Sequence, residues 1–371
     1  MTSAAKKILV LAGEESGAAY AAAVADRLRK ECPECEIRGY ADWGFGTADL
    51  AVMGITAVLM RIFFFAKVKR SMERAIDEWA PDAVCTIDYP GMNLALSRYA
   101  KARGVRTVHV VCPQVWAWRA GRIPSIEKST GSLCCFFPFE PRLFKPGFAF
   151  FAGHPLADEI SPVPPGDRDP GLVGILPGSR IEEIWRNLPT MLDAAALLPG
   201  TVRYRIPAAN AAAGAAISKL LEARGLLGSP RFEMTSGGAR RLFAEAGCAM
   251  VASGTATLEA ALATCPCVLV YRVGAFTAWL MRRVVKGVRH AGLANIVWEK
   301  CGVGGGQPME ELLQEDFTPR RTADAVERFL SSSEARAAAA ERLAAATAPL
   351  RSGPAGTPGD SIGAIVKEIL A

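Results

Sequence analysis

The sequence predicts two doubly wound α/β domains in tandem, each a parallel sheet covered by helices. Three observations carry this. Short β-rich runs alternate with helical stretches in both halves of the chain, the rhythm of βαβ units. A proline-dense segment, Ser161 to Pro170, separates the halves. The length of 371 residues corresponds to about two domains at roughly 150 residues each.

In the first half the strands are Ile8 to Ala12, Ala83 to Asp88, Thr107 to Val111 and Leu133 to Phe137. Helices from Ser16 to Lys30 and from Asn93 to Arg103 follow the first two. Tyr20, Val24 and Leu28 recur every four residues while Asp26, Arg27, Arg29 and Lys30 fill the other faces, so the first helix has one buried stripe. Prolines at 162, 164, 165 and 170 can neither continue a helix nor pair in a central strand. The second half then runs Val173 to Leu176 with a helix from about Arg180, Val202 to Ile206, Cys248 to Ala252 with a helix from about Thr255, and Val268 to Tyr271 with a helix to about Val285. Residues 1–160, a linker at 161–170, residues 171–350 and a closing loop and helix at 351–371 are the expected divisions. Tandem domains of this kind are expected to face a central cleft between the carboxyl edges of their sheets, where open α/β folds bind ligands.

Half of the residues are hydrophobic and 22% are charged, which excludes a disordered chain. Its net charge of +6 is too modest to demand a nucleic-acid partner and suits phosphate-bearing ligands or an anionic membrane. The ten cysteines lie scattered in apolar runs and read as reduced core residues of a cytosolic protein. Cys32 and Cys35 have no second pair to complete a zinc site. His109 and His154 read as packing residues. The apolar run before Glu14 is too short for a signal-peptide core, and no run of about 20 apolar residues would span a bilayer.

Four segments carry chemistry. Ile175-Leu-Pro-Gly-Ser-Arg180 leaves a strand through a tight turn into a helix, so the N–H groups of Gly178 and Ser179 beside Arg180 form a phosphate cradle in outline. An ordinary turn with a serine cap is the plainer alternative. Ala252-Ser253-Gly254-Thr255 repeats the design, with Glu259 one helical turn further on, placed to accept two ribose hydroxyls. Two such turns in one domain suggest a nucleotide diphosphate. Asp88 stands where a strand ends, and a partly desolvated carboxylate there can take a proton from an alcohol, or simply cap the next helix. Trp116, Trp118 and Arg119 could stack on a sugar and bind an anion, or serve as core and rim of a strand end.

Asp167-x-Asp169 lies in the proline linker instead of after a strand, so no metal is expected and a leaving diphosphate would rest on helix N-termini and arginine. The apolar stretch Val52 to Phe65, followed by Lys67, Lys69 and Arg70, suits a helix lying in a membrane interface, or a buried helix with a basic end.

Taken in order, these segments resemble the lipid-A-disaccharide synthase family of GT-B glycosyltransferases nearly end to end. The resemblance rests on Gly13-Glu14-x-Ser16-Gly17, Leu50 to Gly54, Ile87-Asp88-x-Pro90 with Asn93, Pro113 to Arg119, Pro138-Phe-Glu140, Gly153-His-Pro155, Leu176 to Arg180, Ala252 to Glu259, Tyr271-Arg272, Asn295 and Glu311 to Gln314. It implies transfer from UDP-2,3-diacylglucosamine to 2,3-diacylglucosamine 1-phosphate with inversion, releasing UDP, at the inner face of the inner membrane. It implies Asp88 as base, with Gly178, Ser179, Arg180, Ser253, Gly254, Thr255, Glu259, Arg272 and Asn295 toward UDP and donor. Ser16, Met53, Val58, Ile62, Phe63, Trp116, Trp118 and Arg119 would face acceptor or membrane. No cofactor and no nucleic acid are implied, and a homodimer is compatible with it. The chain departs from the family pattern at Ala18, Ala57, Gly91 and residues 298–306. Two alternatives stay open: a GT-B enzyme that transfers or epimerises another UDP-sugar, and a non-catalytic homologue that binds UDP or lipid.

Overall fold

Ile8 to Ala12 are almost wholly excluded from solvent, as a strand covered on both faces must be. The structure, a computed structural model, describes residues 5–13, 15–45, 62–274, 277–279, 283, 287–351 and 359–371. It divides into two units, residues 1–158 with 350–371, and residues 159–349.

The first unit holds a six-stranded sheet in the order β2-β1-β3-β4-β5-β6, formed by β1 (Lys7–Ala12), β2 (Glu36–Arg38), β3 (Ala83–Ile87), β4 (Arg106–Val110), β5 (Ser132–Cys135) and β6 (Ala149–Phe151). Every pairing is parallel. Chain direction across the sheet reverses between β1 and β3, where Ala12 pairs with Ile87. Such a switch point leaves a crevice at the carboxyl ends of the two strands. On one face the helices Glu15–Glu31 and Ser361–Leu370 pack, and Val24, Leu28, Ile365, Val366 and Ile369 join the strand core. The closing helix thus belongs to the first unit. Met72, Ile76 and Leu96 from the helices Ile62–Trp79 and Pro90–Lys101 fill the other face.

The second unit repeats the plan with the order β12-β11-β10-β7-β8-β9, using β7 (Asp169–Leu176), β8 (Arg203–Ala208), β9 (Phe232–Ser236), β10 (Ala246–Val251), β11 (Cys267–Tyr271) and β12 (Glu310–Leu313). All its pairings are parallel too. Here the switch lies between β7 and β10. Asp169 and Pro170, the last residues of the expected linker, already belong to β7, at an irregularity in its pairing with β10. Gly247 permits the approach, since a Cβ there would lie 2.8 Å from the Asp169 carbonyl and the Pro170 Cα. Just before it, the buried guanidinium of Arg168 donates to the carbonyls of Phe243 and Ala263.

Two expectations need correction or limitation. Cys32 and Cys35 are joined in a disulfide across the turn that ends the first helix, their Cα atoms 5.4 Å apart. The other eight cysteines are free thiols, seven of them buried. Of the apolar stretch Val52 to Phe65, residues 52–61 lie outside those described; residues 62–65 open the helix Ile62–Trp79. Of the expected helix to Val285, residues 275–276, 280–282 and 284–285 also lie outside the described residues; 277–279 and 283 are helical. Among them, no helix is long and apolar enough to cross a membrane.

Candidate active site

β3 ends at Ile87, and the next two residues, Asp88 and Tyr89, both take left-handed backbone conformations with φ of 51° and 49°. Non-glycine residues adopt these at a cost of order 1–3 kcal/mol, so surrounding structure must hold them. Asn93 does so. Its carboxamide, fully buried, donates to the carbonyls of Leu11 (3.3 Å), Ile87 (3.0 Å) and Asp88 (2.9 Å), and accepts from the Tyr40 hydroxyl at 2.7 Å. Gly13 leaves room for the Tyr89 ring, which a Cβ would meet at 2.5 Å. The Asp88 N–H is tied to the Val110 carbonyl at 2.9 Å. Asp88 is therefore pinned at the switch point of the first sheet, half-buried. Burial raises its pKa above the ordinary aspartate value, and the Tyr89 N–H donated to its Oδ1 at 2.8 Å opposes that shift.

Beside it, β4 runs into residues 111–119, where Val111 (φ 74°) and Arg119 (φ 61°) are also left-handed. The two tryptophans separate. Trp116 is buried and donates its indole N–H to Glu140 Oε1 at 2.9 Å, edge-on to Phe137 and Phe139. Trp118 is 38% exposed and carries the Arg119 guanidinium 4.6 Å over its ring. Glu140 accepts the Phe137 N–H on its other oxygen at 3.1 Å, and burial pushes its pKa up to about 8. Cys112, Cys135 and Glu140 have donor atoms within 4.8 Å of one another and are all buried. With both carboxylate oxygens engaged by N–H groups, the trio forms a knot in the core. His109 and His154 are buried and driven to pKa values of about 3 and about 4 by desolvation, so each is neutral at pH 7. His109 Nδ1 meets Thr86 Oγ1 at 2.8 Å and His154 Nδ1 accepts the Leu156 N–H at 3.2 Å.

In the second unit, the turns after β7 and β10 lie side by side, Ala252 N–H donating to the Leu176 carbonyl at 2.8 Å. Between them and the ends of β8 and β9 is a cavity of about 300 Å³ whose lining includes Gly178, Ser179, Ser253, Gly254, Thr255 and Glu259. Gly178 (φ 118°) and Gly254 (φ 150°) hold conformations open to glycine. Gly254 caps the helix Thr255–Leu262 with no side chain satisfying its first N–H groups, which leaves donors and the positive end of the helix dipole for an anion. Arg180, 60% exposed, sits before the helix Ile181–Ala196 with its guanidinium 3.2 Å from Glu183. Glu259 pairs with Arg240 at 3.1 Å.

Two sequence-selected residues are occupied elsewhere in this unit. The Arg272 guanidinium donates to the carbonyls of Gln314 and Phe317 at the carboxyl end of β12. Asn295 is fully buried, donating to the Met309 carbonyl (2.8 Å) and Glu311 (2.6 Å) and accepting the Met309 N–H (3.0 Å). Phe63 is 85% exposed at the start of its helix. Met53, Val58 and the side chains of Ser16 and Ile62 lie outside what is described. Sequence reasoning missed the roles of Asn93 and Glu140, both inside quoted motifs but bonded across the fold.

Comparison with known proteins bears on the family and the fold. The family model for lipid-A-disaccharide synthetase matches residues 8–350. A lipid-A-disaccharide synthase of Koribacter versatilis is 35% identical over 369 residues, covering 94% of each chain. One from Burkholderia thailandensis is 37% identical over 347 residues, covering 86% of each. The crystal structure of Acinetobacter baumannii MurG superposes with a TM-score of 0.58 at 14% identity, covering 98% of this chain and 99% of that one, a likeness of fold. Two parallel Rossmann-like sheets, a carboxylate at one switch point and a glycine-lined cavity at the other thus accompany a match over residues 8–350, and the chain belongs to the lipid-A-disaccharide synthase family of UDP-sugar glycosyltransferases.

Proposed function

We propose that this protein transfers the sugar of UDP-2,3-diacylglucosamine to the 6-hydroxyl of 2,3-diacylglucosamine 1-phosphate. The observation that carries the reading is Asp88, a half-buried residue at a switch point whose backbone carbonyl is held by Asn93. Asp88 accepts the 6-hydroxyl proton as that oxygen bonds to the donor's anomeric carbon. The bond from that carbon to the diphosphate breaks, UDP leaves with the electron pair, and configuration inverts.

The cavity of the second unit suits the nucleotide. Its two glycine turns and helix N-termini, with Arg180, favour the diphosphate as it gains charge. Glu259, which lines the cavity, accepts the ribose hydroxyls in this reading. In this reading no divalent ion takes part, and EDTA leaves the rate unchanged; a rate that requires added Mg²⁺ would count against it. Both substrates are amphiphiles, and the exposed Phe63, with Lys67, Lys69 and Arg70 on the same helix, supports peripheral attachment to the inner face of the inner membrane. Incubating the purified protein with both diacylated substrates and weighing the product by mass spectrometry tests the proposal. A phosphorylated disaccharide with release of UDP is expected; an epimerised or unchanged UDP-sugar would refute it.

A further inference from the structure

The helices Ile62–Trp79, Pro90–Lys101 and Ile123–Ser129 enclose a second cavity in the first unit, about 550 Å³ and open to solvent. Four cationic side chains line it, Lys69, Arg98, Arg103 and Arg122, against one carboxylate, Glu73. Two of the four are neutralised. Lys69 pairs with Glu73 at 2.7 Å, and Arg103 with Asp77, which also accepts the Tyr99 hydroxyl. The other two are not. Arg98, exposed at the rim, reaches only the Ser125 hydroxyl among the described residues, at 3.4 Å. The half-buried Arg122 has no ion pair or side-chain hydrogen bond among the described residues. A guanidinium partly withdrawn from water without a partner is costly, and its planar fork matches a phosphate oxygen pair.

The position of this cavity narrows its occupant. Pro90 and Gly91 belong to its lining, and Gly91 follows Asp88 by three residues, a backbone reach of at most about 10 Å. The space at Gly91 is open, as a Cβ there would meet nothing within 4 Å. Arg122 lies three residues beyond Arg119, at the end of the loop that carries Trp118. A sugar whose hydroxyl meets Asp88 could therefore project a substituent from the far side of its ring toward the two arginines.

We propose that Arg98 and Arg122 bind the phosphomonoester of the acceptor sugar and so make the enzyme select a phosphorylated acceptor. This rests on the function proposed above, and the experiment separates the two. Wild type, Arg98→Ala, Arg122→Ala and Arg122→Lys are assayed with 2,3-diacylglucosamine 1-phosphate and with the same acceptor lacking its phosphate. Binding of glucosamine 1-phosphate is measured by calorimetry on the same proteins. In the variants the preference for the phosphorylated acceptor, as a ratio of kcat/KM, should fall about tenfold or more through acceptor KM. Arg122→Lys should recover part of it, and the alanine variants should lose glucosamine 1-phosphate binding. Equal weakening with both acceptors, or undiminished sugar-phosphate binding in the alanine variants, would overturn the proposal. Loss of sedimentation with phosphatidylglycerol vesicles while the acceptor preference persists would assign the groove to lipid headgroups instead, and also overturn it. A wild type that binds glucosamine 1-phosphate through these arginines yet transfers nothing to either acceptor refutes the proposed reaction and leaves the phosphate site standing.

Discussion

The Asn93 carboxamide nitrogen lies 2.9 Å from the carbonyl oxygen of Asp88, so a fully buried side chain holds the backbone that carries the candidate base. The same group spans the ends of β1 and β3 through Leu11 and Ile87. Asn93→Ala breaks this clamp and leaves the Tyr40 hydroxyl without its acceptor. A loss of about 2–4 kcal/mol is expected, read as a lower urea midpoint with kcat reduced in the surviving folded fraction. Wild-type midpoint and kcat together would show that the clamp has no such role.

The turn proposed to hold the diphosphate depends on glycine. At Gly178 the backbone has φ of 118°, and a Cβ would come within 2.5 Å of Glu183 Oε2. Gly178→Ala should weaken UDP binding by about 1–3 kcal/mol, a factor of roughly 5 to 150, in a calorimetric titration. An unchanged affinity would place the nucleotide elsewhere.

Glu259 and Asn295 should separate in opposite ways. Glu259 lines the cavity at the surface of the second sheet, whereas Asn295 joins the helix Leu293–Cys301 to β12 through Met309 and Glu311. Glu259→Ala is expected to weaken UDP binding with little change in thermal midpoint. Asn295→Ala should destabilise the fold by about 2–3 kcal/mol. The reverse pattern would assign Asn295 to the donor and Glu259 to the scaffold.

Stability should carry the signature of Glu140. Its folded pKa of about 8 stands above that of an exposed glutamate because burial disfavours its charge. Between the unfolded and folded values the native state holds a proton that the unfolded chain has lost, so stability falls as pH rises through that window and levels off above it. The slope is at most about 1.4 kcal/mol per pH unit. Glu140→Gln, neutral throughout, should flatten this part of the curve in urea titrations from pH 5 to 9. An identical slope in both proteins would mean that Glu140 does not titrate in that window.

Much of this was legible in the sequence where strand, turn and helix follow one another. Asp88 and the turns at Gly178 and Gly254 were found because a buried strand ending in a tight turn fixes where its next residues stand. The edge strands β2, β6, β9 and β12 were not, because they are only three to five residues long and largely half-exposed, too short to show alternation. Roles set by distant partners were equally hidden. Arg272 meets carbonyls 42 and 45 residues away and Trp116 a carboxylate 24 residues away, and no local spacing encodes such pairings.

The most direct test is turnover by Asp88→Asn, which keeps the shape and removes the proton acceptor. The account predicts a loss of about 10²–10⁴-fold in kcat with UDP affinity and thermal midpoint near wild type. For wild type it predicts an acid limb in kcat/KM above the ordinary aspartate range, as burial raises the Asp88 pKa. An Asp88→Asn protein that forms disaccharide at the wild-type rate would contradict it.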